Sequence, residues 1–385
     1  MSGLSLGAPV KDTHLLVIGA GNVGTHTLDL LARRPDAPRI TLAGRDEELL
    51  VRQVNLSRMV AAQLGHTPRL DHVVMDVDDI DRTAATLAEL SPDIVFSTVS
   101  LQAWWVINEL PKDLLTRLDE AEIGPWLPMQ LTLIHKVMQA VKASGIDTQV
   151  VNAALPDATH TILDKVGLAP TIGIGNVANI VPTLRHAAAD QLGKRPDQVD
   201  LRVVMEAFVS HRVPRTGDAG DAPYRISVLE NGSDVTERVD VDSLLQAVAT
   251  RYRRLGGVRG AVLTAASAVT VIEALTSTEP RLVHAPGPDA LIGGYPVAVS
   301  AKGLDIQLPD GLSLTQALDI NKKALWHDGI AEIRDDGSVR YSDPHMDIVK
   351  SMIGYDVREM KLADSEACAR ELAAKYSEFK KSLGS

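Results

Sequence analysis

Three glycines stand at G-x-G-x-x-G spacing in Leu15-Leu16-Val17-Ile18-Gly19-Ala20-Gly21-Asn22-Val23-Gly24, between an apolar run and the start of a helical pattern. Gly19 permits a tight turn. Gly21 lets a backbone come close to a pyrophosphate, and Gly24 lets helix and strand pack closely. A helix opening at Asn22 and Val23 offers phosphates its free N–H groups and a partial positive charge. Such a turn has meaning only inside a parallel sheet, so the segments around it decide its weight.

Those segments alternate. Short Val/Ile/Leu-rich runs at 14–18, 39–43, 72–76, 93–99 and 149–152 predict strands, and longer periodic stretches at 22–33, 47–64, 80–90 and 129–144 predict helices. Continuous apolar strands separated by helices require a sheet covered on both faces. The expected class is α/β: a Rossmann-type, doubly wound parallel sheet over residues 1–155, followed by an α+β substrate domain over 156–385. In the second part, 171–174, 201–211 and 224–229 predict strands, joined by a helix at 177–192 and a polar loop at 214–223. Helices follow at 241–255 and 260–276. A hairpin pairs 295–301 with 304–308 around Lys302-Gly303, and three helices begin near Leu314, Pro344 and Asp364.

A length of 385 residues, 45% of them hydrophobic, suffices for about two domains. The net charge of -11 argues against a general nucleic-acid binder, because such a surface repels phosphate backbones. The lone Cys368 excludes a disulfide framework and a cysteine-rich metal site, and no metal is expected. Residues 1–11 lack the basic and apolar regions of a secretory leader, and no apolar run approaches a membrane span, so a cytoplasmic protein without membrane contact is expected. The alanine-rich 260–276 helix suits a homo-oligomer interface, dimeric or tetrameric, and suits packing inside one subunit equally well.

The end of the second predicted strand selects the cofactor. An NAD site places Asp or Glu about there to hold the ribose 2′-hydroxyl. Here the run is Leu42-Ala43-Gly44-Arg45-Asp46. A carboxylate would repel a 2′-phosphate, whereas Arg45 can pair with it through two hydrogen bonds. NADP is therefore expected rather than NAD; the alternative leaves Arg45 in solvent and gives the ribose to Asp46. Asp76, after the third strand, is expected near the adenine. Thr98 and Val99, closing the fourth, are expected beside ribose or phosphates, or else as a cap for the next segment.

From Gln149 onward the chain resembles the lactate/malate dehydrogenase superfamily, which includes the NAD-dependent family-four glycosidases. The run Val150-Val151-Asn152-Ala153-Ala154-Leu155-Pro156-Asp157-Ala158-Thr159 is similar to that family's Asn-Pro-x-Asp-x-x-Thr element, and Phe208-Val209-Ser210-His211 falls at its Gly-x-His motif. The resemblance implies that Asn152 lies under the nicotinamide and serves catalysis, and that His211 moves the proton. Asn179, with Asn176, stands where the family has its Asp-x-x-Arg pair, and would orient His211 without a charge. Gln130 stands where an Asn is usual. The family's loop arginine is missing after the fourth strand, where Trp104 and Trp105 suggest a larger or ring-shaped substrate, or else a hydrophobic clasp. Arg212 is a candidate for a substrate anion. There is no Cys near Gly175, which excludes the glycosidases' metal chemistry. The Ala43-Gly44-Arg45 turn also resembles the NADP-binding domain of saccharopine-dehydrogenase-like reductases.

These readings converge on an NADP-dependent oxidoreductase acting on a secondary alcohol or ketone. An opine- or saccharopine-type C–N reductase and a non-catalytic dinucleotide sensor are the alternatives.

Overall fold

The computed structural model describes residues 13–383, and for Trp104 and Trp105 the backbone alone. The segment 1–11 lies outside the described residues. The first elements in chain order are β1 (His14–Ile18), α1 (Asn22–Ala32), β2 (Arg39–Gly44), α2 (Glu47–Gln63), β3 (Leu70–Val74), α3 (Ile80–Leu90) and β4 (Ile94–Ser97). They are followed by α4 (Lys112–Asp119), α5 (Leu127–Ser144), β5 (Gln149–Asn152), α6 (Pro156–Asp164) and β6 (Ile172–Gly173). Six parallel strands form one sheet in the order β3-β2-β1-β4-β5-β6.

β1 shows why an unbroken apolar run is needed. Successive side chains on a strand face opposite sides. Leu16 and Ile18 enter one core with α3, α5 and the C-terminal helices, while Leu15 and Val17 enter another with residues of α1 and α2. A half-polar strand would leave one layer unsealed. The expected doubly wound sheet is what the structure contains, and its sixth strand comes from beyond residue 155, where the sequence places the domain boundary.

The second part contains α7 (Val177–Leu192), β7 (Val199–Val204), α8 (Ala207–Thr216), β8 (Arg225–Glu230), β9 (Ser233–Asp234), α9 (Val241–Ala249) and α10 (Gly257–Leu275). Then come β10 (Arg281–Pro286), β11 (Gly294–Ser300), β12 (Gly303–Ile306), α11 (Leu314–His327), β13 (Ile330–Ile333), β14 (Val339–Tyr341), α12 (Asp343–Ile353), β15 (Glu359–Met360) and α13 (Ser365–Leu383). Three antiparallel sheets, β7-β8-β9, β10-β11-β12 and β13-β14-β15, pack among these helices.

Two expectations are corrected here. The predicted strand at 201–211 is a strand only to Val204. Glu206 then turns the chain, its side chain accepting a 2.7 Å hydrogen bond from the Phe208 amide, and α8 follows. The polar loop predicted from 214 therefore begins inside a helix. Second, α10 is long and apolar enough to cross a membrane, contrary to the reading that no run approaches that length. In the structure it lies along α1: Ala268, Val271, Ile272 and Leu275 share a core with Leu28 and Leu31, and Glu273 bonds Arg34 at 3.0 Å.

A candidate dinucleotide cleft

The register of the large sheet brings the ends of four strands level. Ile18 pairs with Ala43 on one side and Ser97 on the other, and Ser97 pairs with Asn152. Chain order reverses between β1 and β4, so a crevice opens where their following loops diverge. A cleft of about 790 Å³ occupies it.

The glycine turn forms its floor. Gly19 has φ +114°, and a Cβ there would stand 2.5 Å from Thr98 Oγ1. That hydroxyl bonds the carbonyl oxygens of both Ile18 and Gly19 at 3.1 Å, so Thr98 holds the turn, and the residue also lines the cleft. Gly24 packs on the Gly19 carbonyl. Gly21, by contrast, has nothing within 4 Å of where a Cβ would be, and it opens α1 in extended conformation with no side-chain cap and no acid in the first turn. The first amides of α1, at Asn22 and Val23, thus lack intrahelical acceptors and line the cleft.

At the β2 end, Arg45 is exposed, lines the cleft, and makes no hydrogen bond or ion pair among the described residues. Asp46, its rival for the ribose, caps α2 by accepting the Leu49 amide at 3.1 Å. Asp76 lines the same end and accepts the Asp78 amide, while Asp78 bonds Lys136 at 2.7 Å. Val99 lines the cleft beside the glycine turn, its Cγ1 3.2 Å from where a Cβ on Gly19 would stand.

The inner end gathers Gln130, Asn179 and His211. Gln130 Nε2 donates to the Gln102 carbonyl at 2.7 Å, and Asn179 Nδ2 donates to Thr264 Oγ1 at 3.0 Å. His211 is half-buried: Nδ1 is sealed from water with no partner, and the residue borders the cleft. Burial, then the charges of Arg215 and Arg254, push its pKa down to about 3, so the ring is neutral.

Several expected residues stand elsewhere. Asn152 is fully buried and consumed locally: Oδ1 accepts the Ala154 amide at 2.9 Å, and Nδ2 donates to the Ala154 carbonyl and to Thr159 Oγ1. It shapes the loop, and Ala153 and Ala154 form the cleft wall in its place. Neither Asn179 nor Asn176 bonds His211; Asn176 donates to the buried carboxylate of Asp157. Arg212 is outside the cleft lining, bonded to Asp218 at 2.8 Å. Trp104 and Trp105 open a 3-10 turn after β4, and their side chains lie outside the described residues.

One charged cleft residue escaped the sequence reading. Arg254 precedes α10 in the run Arg251-Tyr252-Arg253-Arg254, which reads as a solvated, charged helix end; only the fold turns one of these arginines into the cleft. A group of buried carboxyls behind α8, Asp157, Glu206 and Asp328, also left no periodic signal.

Residues 15–100 match the family model described as the saccharopine dehydrogenase NADP binding domain. The match contains the glycine turn, Arg45, Asp76, Thr98 and Val99, and it marks the amino-terminal part as an NADP-binding domain. No curated protein matches the chain in sequence. Among solved structures, the Eimeria maxima lactate dehydrogenase with NADH and oxamate is 13% identical at a TM-score of 0.55, covering 82% of this chain and 91% of that one. The malate dehydrogenase of Plasmodium falciparum is 15% identical at 0.54, covering 81% and 95%. That of Salinibacter ruber is 15% identical at 0.54, covering 88% and 98%. The chain has the lactate/malate dehydrogenase fold. Among the described residues no carboxylate is bonded to His211, whose Nδ1 has no partner.

Proposed function

We propose that this protein is an NADP-dependent oxidoreductase moving a hydride to or from a secondary alcohol/ketone carbon, on a substrate larger than a simple 2-hydroxy acid. One observation carries the reading: a single cleft runs from the glycine turn to His211. The amides opening α1 hold the pyrophosphate. Arg45 is free to pair a 2′-phosphate, while Asp46 is engaged in capping α2, which supports NADP over NAD. The nicotinamide supplies the hydride donor or acceptor. His211, neutral at working pH, takes the hydroxyl proton when the alcohol is oxidised. The small residues Gly257 and Ala261 in the cleft lining leave room for a bulky substrate.

Calorimetry with NADPH and NADH tests this. Wild type binds NADPH more tightly, and Arg45→Ala weakens NADPH by about 10- to 100-fold, the value of a charged hydrogen-bond pair, while leaving NADH nearly unchanged. Absence of NADPH binding to wild type removes the reading.

The saccharopine dehydrogenase match favours a second reading, a C–N reductase. NADPH oxidation that requires an amine together with the ketone selects it; oxidation with ketone alone selects the first. On either reading the protein acts on small molecules, and exposed Leu56 and Met59 on α2 support self-association, which sedimentation measures directly.

A further inference from the structure

We infer that Arg254, carried by the loop ahead of α10, anchors a carboxylate of the substrate. The inference deepens the functional reading above by naming a group of the substrate, and rests on that reading for the cleft being a substrate site.

Two cations line the cleft, Arg45 at the β2 end and Arg254 at the α10 end. Neighbouring arginines are already neutralised: Arg212 by Asp218, Arg215 by Asp119 and Glu122, and Arg251 by Asp190. Arg254 has only a 3.4 Å contact to the Leu255 carbonyl, and no carboxylate acts on it. The cleft's acids, Asp46, Asp76 and Asp78, all belong to the β2 and β3 end, so the inner end carries positive charge without compensation. A guanidinium fork matches a planar carboxylate through two parallel hydrogen bonds.

Two details of α10 fit the same ligand. Its N-terminus, capped by Gly256 with no side-chain bond and no acid in the first turn, opens at Gly257 on the cleft wall. Gly260 gives the guanidinium its place, because a Cβ there would stand 3.3 Å from Arg254 Nη1 and 2.7 Å from the Leu255 carbonyl.

The test uses the whole protein and oxalate as the probe, with and without NADPH. Oxalate binding is measured by calorimetry. Expected results are oxalate binding to wild type and about tenfold or greater weakening in Arg254→Gln. NADPH affinity stays unchanged in Arg254→Gln, which also shows that the variant is folded. Three outcomes overturn the inference: oxalate that does not bind wild type, oxalate that binds the variant equally well, or an Arg254→Gln effect falling on NADPH instead, which would give the guanidinium to a cofactor phosphate. Failure of NADPH to bind wild type, with oxalate binding still arginine-dependent, sinks the oxidoreductase reading alone.

Discussion

The carbonyl oxygen of Gly19 lies 2.0 Å from where a Cβ on residue 24 would stand, so the turn and the helix it feeds touch backbone to backbone. Gly24→Ala must therefore push α1 off β1. The expected cost is about 1–3 kcal/mol of stability, as for other overpacked sites, together with loss of NADPH binding. Gly21→Ala is the matched control: with open space around it, urea denaturation should be unchanged while NADPH affinity falls. Equal destabilisation by both substitutions would contradict this division of labour.

Thr98 makes a related prediction. Its hydroxyl bonds two carbonyls of the glycine turn, and Thr98→Val removes both bonds while keeping the shape. A stability loss of about 1–3 kcal/mol is expected from leaving buried carbonyls less satisfied. Chemical denaturation reads it, and an unchanged midpoint argues that the hydroxyl is not holding the turn.

His211 gives a kinetic prediction. The pH dependence of kcat/KM reports the free enzyme, and that of kcat reports the loaded one. With the free ring pushed down to about 3, kcat/KM for alcohol oxidation should show no histidine limb between pH 5 and 8. His211→Asn should lower kcat by about 10²–10⁴-fold with NADPH affinity kept. A histidine limb in kcat/KM between pH 5 and 8 would contradict the lowered ring.

Stability against pH follows from groups buried behind α8. Burial raises Asp157 and Glu122 to about 7 and lifts Glu206 and Asp328 well above the carboxyl range. Between about 4 and 7 the folded chain holds protons the unfolded chain has released, so their stabilisation is complete below 4 and lost as pH rises through 7. Burial lowers His160 to about 4 and His211 and His284 to about 3, so these groups cost stability as pH falls below about 6.5. Above 6.5 only the acids act. Calorimetric Tm should decline from pH 6.5 to 8, and Asp157→Asn should flatten the decline. A Tm rising over that interval would falsify the assignment of raised carboxyls.

Local, periodic features were legible in the sequence. The glycine turn, β1, β5, α3 and α7 end where the sequence indicates, because Gly, Asp and Pro punctuate strongly patterned runs. The stretch 201–211 was not, since a continuous apolar run fits a buried strand and a buried helix alike; the deciding event is one hydrogen bond that Glu206 accepts from the Phe208 amide. The small β13-β14-β15 sheet was missed because strands of two to four residues carry no period. Within the site, Gly21 and Arg45 were readable from their offset to the first strand. Asn152 was not: its sequence neighbours match a familiar element, but its amide is spent on its own loop. Arg254 lay hidden among arginines that do remain in solvent.

The packing of α10 on α1 bears on how the chain matures. The helix opened by the glycine turn is synthesised ahead of the surface that covers Leu28 and Leu31, which follows about 240 residues later, from Ala268 on. Until then the nascent amino-terminal half carries an open greasy flank, the kind of surface that chaperones guard and that invites aggregation. A truncated transcript ending before α10 should accordingly yield insoluble product.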